Sequence, residues 1–254
     1  MKKERVDNSS YIIAGRNPVL EALHSSQAIE KIYILHGIHG NAMEQIKYFA
    51  KQKGIVCAEV SPQKLRELSQ GSETQGVLAL RSLKNYVDTD DMIRYAEEKG
   101  EKPLLLILDE IEDPQNLGAI IRTAECCGVH GIILPKHHSS SITATVSKTS
   151  AGAIEYVHIA KVTNIVSEIE YLKEKGLWII GTKDNAELPF SQYDYSSPIA
   201  IVIGNEGKGM RKLVAEHCDV IVNIPLYGKI TSLNASVASA LVLYEAVRKR
   251  KSIK

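Results

Sequence analysis

The segment Pro103–Ile111, PLLLILDEI, constrains the fold more than any other stretch of the chain. Leu104 to Leu108 are consecutive aliphatic residues with no polar alternation, so neither face of a strand built from them could meet water. Such a strand must be covered on both sides, as in a parallel sheet flanked by helices. Strand-length apolar segments recur at Gly131–Leu134, Tyr156–Ala160, Leu177–Gly181, Pro198–Gly204 and Val220–Ile224. Helix-length patterns alternate with most of them, at Gln115–Cys127, Ile142–Ile154, Ile165–Lys175 and Lys208–His217, with a last helix after Ile224. The alternation predicts an α/β sheet with helices on both faces. Ligands of such sheets bind beyond the C-terminal strand ends, so the informative turns follow Asp109, Leu134, Gly181, Gly204 and Ile224.

A smaller α/β module precedes this one. RNPVLEALHS reads as a helix and Lys31–Leu35 as a strand. NAMEQIKYFAKQKG is an amphipathic helix with Met43, Ile46, Tyr48, Phe49 and Ala50 near its apolar side. Ile55–Val60 is a strand, Ser61-Pro62 opens a helix with a cap and a proline in its first turn, and Gly76–Leu80 closes the module. From Lys84 to Lys102 the chain turns polar and acidic, with Met92, Ile93, Tyr95 and Ala96 as its only anchors, and reads as a linker holding a short helix. The predicted layout is therefore 1–83, a linker 84–103, and 104–254. No apolar run approaches the ~20 residues that span a bilayer, and MKKERVDNSS lacks the apolar segment of a secretory signal. Cys57, Cys126, Cys127 and Cys218 form no CxxC pair and read as reduced thiols, which points to a cytoplasmic protein. The close histidine pairs His36/His39 and His137/His138 lack metal-ligand spacing. A net charge of +1 advertises no nucleic-acid partner by itself. Phosphates would have to meet local clusters such as Lys47/Lys51/Lys53 or Arg248–Lys251.

Three turns carry residues with chemistry to offer. In DEIEDPQNLGAIIRTAE, Leu117, Ile120, Ile121, Ala124 and Cys127 make a helical core stripe. Asn116 stands at the helix start, where an amide can cap or face a ligand. Arg122 lies off the stripe, one turn beyond Gly118, whose missing side chain leaves room beside the guanidinium; an ordinary surface arginine is the other reading. In IAIVIGNEGKGM, Gly204, Gly207 and Gly209 mark a strand-to-helix junction where backbone can approach a ligand. It is neither a Walker loop nor a dinucleotide fingerprint. Glu206 inside it disfavours a phosphate and favours a neutral or cationic ligand. In IPLYGKITSLNASVASA, Ser232 is a candidate N-cap and Asn234 follows two residues later. The helix they introduce has a small inner face (Ala235, Ser236, Ala238, Ser239, Ala240), which suits a crowded passage or a subunit seam. WIIGT adds Gly181 and Thr182.

NLGAIIRTAE, GNEGKGM and IPLYGKITSLNASVASA together resemble the three ordered signature motifs of the SpoU/TrmH RNA ribose 2′-O-methyltransferases, within the SPOUT superfamily. GRNPVLEAL and TQGVLAL are similar to that family's L30e-like substrate-binding domain, and the two-domain layout is nearest its RlmB-like branch, which modifies a guanosine of 23S rRNA. The resemblance implies a Rossmann-like parallel sheet with a deep trefoil knot, a feature rare enough that periodicity could not suggest it. It implies S-adenosylmethionine as cofactor, held near Thr182, Gly204, Ile224 and Leu233, and a homodimer through the C-terminal domain, with no metal and no membrane. It assigns Asn116, Arg122, Glu206, Ser232 and Asn234 to catalysis, Arg122 as the proposed base. Because arginine keeps its proton in proteins, an electrostatic role for Arg122 toward the developing alkoxide or the adjoining phosphate is chemically preferable. The same motifs would also suit a tRNA ribose methyltransferase, or an RNA-binding ribosome assembly factor that no longer turns over.

Overall fold

A computed structural model describes residues 12–25, 29–81, 84–184 and 186–252; the N-terminal MKKERVDNSS lies outside them. The chain divides into two units, residues 1–85 with 141–144, and 86–140 with 145–254.

The first unit runs β1 (Ile12–Ala14), α1 (Arg16–His24), β2 (Ile29–Leu35), α2 (Asn41–Gln52), β3 (Val56–Val60), α3 (Pro62–Ser69) and β4 (Val77–Arg81). Its mixed sheet has the order β1-β4-β2-β3, parallel only between β2 and β3. Val19, Leu23, Ile32, Ile34, Met43, Ile46 and Val77 share one core. In α2 the buried residues are Met43, Ile46 and Ala50; Tyr48, expected near that side, is exposed. Ser61 accepts from the Lys64 amide at 3.3 Å with Pro62 in the first turn, the expected cap. The three-residue β1 was not anticipated.

The second unit runs α4 (Thr89–Glu98), β5 (Leu104–Leu108), α5 (Pro114–Cys126), β6 (Gly131–Pro135), α6 (Ala144–Thr149), β7 (Ile159–Val162), α7 (Ile165–Glu174), β8 (Trp178–Thr182), β9 (Leu188–Pro189), β10 (Ile199–Ile203), α8 (Lys212–Glu216), β11 (Val220–Asn223) and α9 (Ala235–Ser252). Its seven strands are all parallel, in the order β7-β6-β5-β10-β8-β11-β9. Every residue of β5 is buried, as its unbroken apolar run requires. The stretch expected as a linker is more than a tether. Met92 of α4 is fully buried in one core with Leu105, Ile107, Ile133 and Ile179, because those strands leave a surface only an apolar helix face can cover.

Two expected helices are shorter. The one placed at 142–154 ends at Thr149, since Ala151 and Gly152 turn left-handed (φ +51° and +86°), and a 3₁₀ turn at Ala153–Glu155 follows. The one placed at 208–217 begins only at Lys212, for reasons lying in the site itself. The far end of α9 is pinned by Arg250, whose guanidinium donates to the carbonyls of Lys102, Pro103, Tyr195 and Ser197 at 2.6 to 3.0 Å. Burial there pulls its pKa down to about 10.

The strand order matters for function. From β5 the sheet grows through β6 and β7 on one side and through β10, β8, β11 and β9 on the other. Connections leaving β5 and β10 therefore diverge, opening a crevice at their C-terminal ends, the topological switch point where open α/β sheets bind ligands.

Candidate active site

The last turn of β5 brings Asp109, and the turn after β10 brings Gly204–Met210, to that crevice. Asp109 is fully buried, and a lone carboxylate there would be costly. Arg211 answers it three times: its backbone amide donates to Oδ2 and its Nε to Oδ1, each at 2.8 Å, and Nη2 lies 2.6 Å from Oδ1 as an ion pair. Holding Arg211 in this way keeps residues 204–211 out of the helix, so α8 starts late. Asn205 and Gly209 exchange backbone hydrogen bonds (3.1 and 2.8 Å). Asn205 Oδ1 accepts from the amides of Gly207 and Lys208, and its Nδ2 donates to the Glu110 carbonyl at 3.1 Å. Gly204 is obligatory because a Cβ there would lie 2.2 Å from the Met210 nitrogen and 2.3 Å from the Gly209 carbonyl carbon. The result is a stiff loop with Glu206 at its crest.

On α5 the cap is Asp113, whose Oδ1 accepts from the Gln115 amide at 3.0 Å. Asn116 is thereby free for the site. Its Nδ2 donates to Glu206 Oε1, while its Oδ1 accepts from Nδ2 of Asn234 at 2.9 Å. Asn234, not Ser232, caps α9: its Oδ1 accepts from the Ser236 amide at 2.9 Å, and the helix begins at Ala235. Three residues from distant parts of the chain thus form one directional chain, Asn234 to Asn116 to Glu206.

Beside it lies an open cleft of about 240 Å³, just below the roughly 300–1,000 Å³ of small-molecule sites. Thr182, Gly204, Ile224 and Leu233 all line it, as do Glu206 and Ser232. Thr182 is oriented by its hydroxyl, which donates to the Val202 carbonyl at 3.0 Å. Asp184 and Glu206 line this space, as do Lys183 and Lys208, so charges of both signs border it. Arg122 stands apart: it is exposed, does not line the cleft, and its side chain makes no hydrogen bond or ion pair among the described residues. Gly118 does not make room for it. A Cβ at 118 would meet the Thr149 Cβ at 2.5 Å and the Val146 carbonyl at 3.0 Å, so the glycine serves the close approach of α6.

Of the small inner face of α9, Ala235 and Ser239 are buried and Ser236, Ala238 and Ala240 are half-buried; α9 packs against α5, the close approach that small residues allow. Burial raises the thiols of Cys127 and Cys218 to about 11 and about 12, leaving neither ready to act as a nucleophile. Among the described residues, no group of three or more His, Cys, Asp or Glu side chains is placed to hold a metal ion, and no helix is long and apolar enough to cross a membrane. Sequence reasoning missed Asp109, Asp113, Asn205 and Arg211. Only Asp109 carried a usable signal, a carboxylate ending an otherwise wholly apolar strand.

Comparison with known proteins adds the family. Residues 103–244 match the SpoU rRNA Methylase family, and residues 12–87 match the domain described as RNA 2′-O ribose methyltransferase substrate binding. The chain is 44% identical, over 96% of its own length and 97% of the relative's, to a Bacillus subtilis (strain 168) protein assigned by name to the TrmH family of tRNA/rRNA methyltransferases. Its fold is similar to that of the SpoU methyltransferase AviRb of Streptomyces viridochromogenes, solved with AdoMet (TM-score 0.61, 22% identity, 95% of this chain and 90% of that one). It is also similar to a crystal structure named RNA 2′-O ribose methyltransferase (TM-score 0.56, 25% identity, 98% and 93%).

Proposed function

The chain belongs to the SpoU rRNA methylase family, and from that premise we propose that it transfers a methyl group from S-adenosylmethionine to a ribose 2′-hydroxyl of RNA, a guanosine of 23S rRNA being the target. The observation that carries the reading is the hydrogen-bonded chain Asn234–Asn116–Glu206 at the edge of a cleft lined by Thr182, Gly204, Ile224 and Leu233.

The donor set fits the cofactor by its chemistry. Backbone at Gly204, Ile224 and Leu233 offers amides and carbonyls to an adenosine, and Asp184 and Glu206 offer negative charge to a cation. S-adenosylmethionine supplies an electrophilic methyl carbon on a positive sulfur. The residues of the chain supply position: Glu206, held by Asn116, lines the cofactor cleft with Ser232, and Asn234, bonded to Asn116 between the lining residues Leu233 and Ala235, stands where a ribose would enter. Orientation of this kind is worth ~7–11 kcal/mol of a barrier. Arg122, with no acid against it, is free to stabilise the negative charge that develops on the attacking oxygen or on the phosphate beside it. The C-terminal segment is threaded as a trefoil knot, the protein works in the cytoplasm as a homodimer, and residues 1–83 bind the RNA.

Incubating the protein with methyl-labelled S-adenosylmethionine and in-vitro transcribed 23S rRNA, then mapping 2′-O-methylated positions by primer extension, tests this. Label at one guanosine is the expected result. Label on tRNA transcripts alone would move the target, and tight cofactor binding without transfer to either RNA would leave a binding protein.

A further inference from the structure

A second cleft adjoins the first on the far side of the Gly204–Met210 loop. Met210, Ala215 and Ile221 give it an apolar floor, and Glu110, Lys183, Lys208, Arg211, Lys212 and Glu216 stand around that floor. Lys183, Lys208, Gly209 and Met210 line both clefts, so the ridge between the clefts runs over these residues.

The charges around this ridge are not equivalent. Arg211 is committed to Asp109 and also lies 3.7 Å from Glu110. Lys212 is almost fully exposed and pairs only loosely with Glu216 at 3.7 Å, a contact worth little in water. Lys183 and Lys208 are exposed and make no ion pair or side-chain hydrogen bond among the described residues. Their backbones, by contrast, are held. The Lys183 amide donates to the Val222 carbonyl at 2.9 Å, and the Lys208 amide donates to Asn205 Oδ1 within the closed hairpin. The ridge therefore presents two ammonium groups from fixed anchor points, with no protein anion paired to them among the described residues. Asp184 and Glu206 line only the first cleft, and Glu110 and Glu216, set near Arg211 and Lys212, line only the second.

We infer that Lys183 and Lys208 bind the RNA phosphate that links the target nucleotide to its neighbour, with the neighbouring nucleotide lying on the apolar floor of the second cleft. The inference rests on the reading that RNA is the substrate. A phosphodiester between two nucleotides is the anion that must cross a ridge separating two adjacent pockets, one for the ribose and cofactor and one for the next residue of the strand. Lysine suits that position, because a flexible stem carrying a point charge tolerates any sequence at the flanking base. The apolar floor adds a sequence-tolerant surface for the base or sugar.

The test is the salt dependence of binding to in-vitro transcribed 23S rRNA, measured for the full-length protein and for the double variant Lys183→Gln/Lys208→Gln. Each phosphate contact in a single-stranded segment contributes about 0.7 to the slope of log affinity against log salt. Both lysines meet one phosphate, so losing them should shallow the slope by about 0.7 and weaken binding about fivefold at 0.1 M salt. S-adenosylmethionine affinity, read by calorimetry, should fall by less than RNA affinity does, and Lys183→Arg/Lys208→Arg should restore the slope. If the unaltered protein binds this RNA and the Gln variant keeps its slope, the assignment of the two lysines is wrong and the reading of the function stands. Should the Gln variant lose cofactor affinity with its RNA slope intact, the lysines serve the cofactor's own carboxylate and the inference is overturned. A wild-type protein with no salt-dependent RNA affinity would remove both.

Discussion

Arg122 reaches solvent six residues beyond Asn116 on the same helix, and no acid stands against its guanidinium among the described residues. A group that holds its proton so firmly is poorly suited to removing one from a sugar, whereas an unspent positive charge is well suited to stabilising an oxyanion. Arg122→Ala should lower the methyl-transfer rate by about 10²–10³, the usual effect of deleting one such group, and leave S-adenosylmethionine affinity unchanged by calorimetry. A cofactor dissociation constant raised more than about tenfold would overturn the assignment to the RNA side. His130 makes a different kind of prediction. Its ring is buried; Nδ1 accepts from the Leu104 amide at 3.0 Å, and Nε2 lies 3.0 Å from Glu101. Desolvation lowers its pKa, against a smaller opposing pull from Glu101. The folded state thus binds this proton less readily than the unfolded chain, so stability is full above the ordinary histidine pKa of about 6.5 and declines as pH falls through and below it. Urea unfolding at pH 7 and pH 5 should show that decline in the wild type and less of it in His130→Asn; equal declines would place the sensitivity elsewhere.

The loop after β10 is where local sequence and tertiary structure meet most tightly. At Gly204 an added methyl group would collide with backbone at 209–210, which cannot rotate away as a side chain could. Gly204→Ala should therefore cost about 1–3 kcal/mol of stability, as overpacking does, and displace Glu206, with cofactor affinity falling more steeply than the melting temperature suggests. Unchanged cofactor binding would show that the loop yields without harm. This loop also explains what could be read from the chain and what could not. The strands of the second unit were legible because both-sided burial leaves an unbroken apolar signature, as in Leu104–Leu108. Asn116, Glu206 and Asn234 were legible as residues placed at strand-end turns. The late start of α8 was not, because it follows from Arg211 binding Asp109, a contact across 102 positions that no local pattern encodes. The break after α6 had a local cue in Gly152, overlooked because the apolar spacing continued through it. Strands as short as β1 and β9, three and two residues, carry too little periodicity to register.

At the scale of the molecule, α9 is the element whose surface the single chain does not explain. One side is buried through Ala235, Ser239, Val242, Leu243 and Ala246, yet Val237, Leu241 and Tyr244 remain 47%, 41% and 57% exposed. These three recur at i, i+4 and i+7 and so form a stripe on another side of the same helix. A helix apolar on more than one face asks for a second partner. The proposed homodimer supplies one, because a two-fold axis through such a stripe would set each residue against the same patch of the other copy. The seam then runs over large side chains beside the small face, of which Ala235 and Ser239 are already buried within the unit. Leu241→Glu/Tyr244→Glu changes only exposed positions, so the fold should persist by circular dichroism. Two carboxylates facing their own copies across the axis should nevertheless leave a monomer in light scattering where the unaltered chain gives a dimer. A wild-type protein that scatters as a monomer across micromolar concentrations would remove the dimer altogether, and a variant that stays dimeric would move the seam to another face.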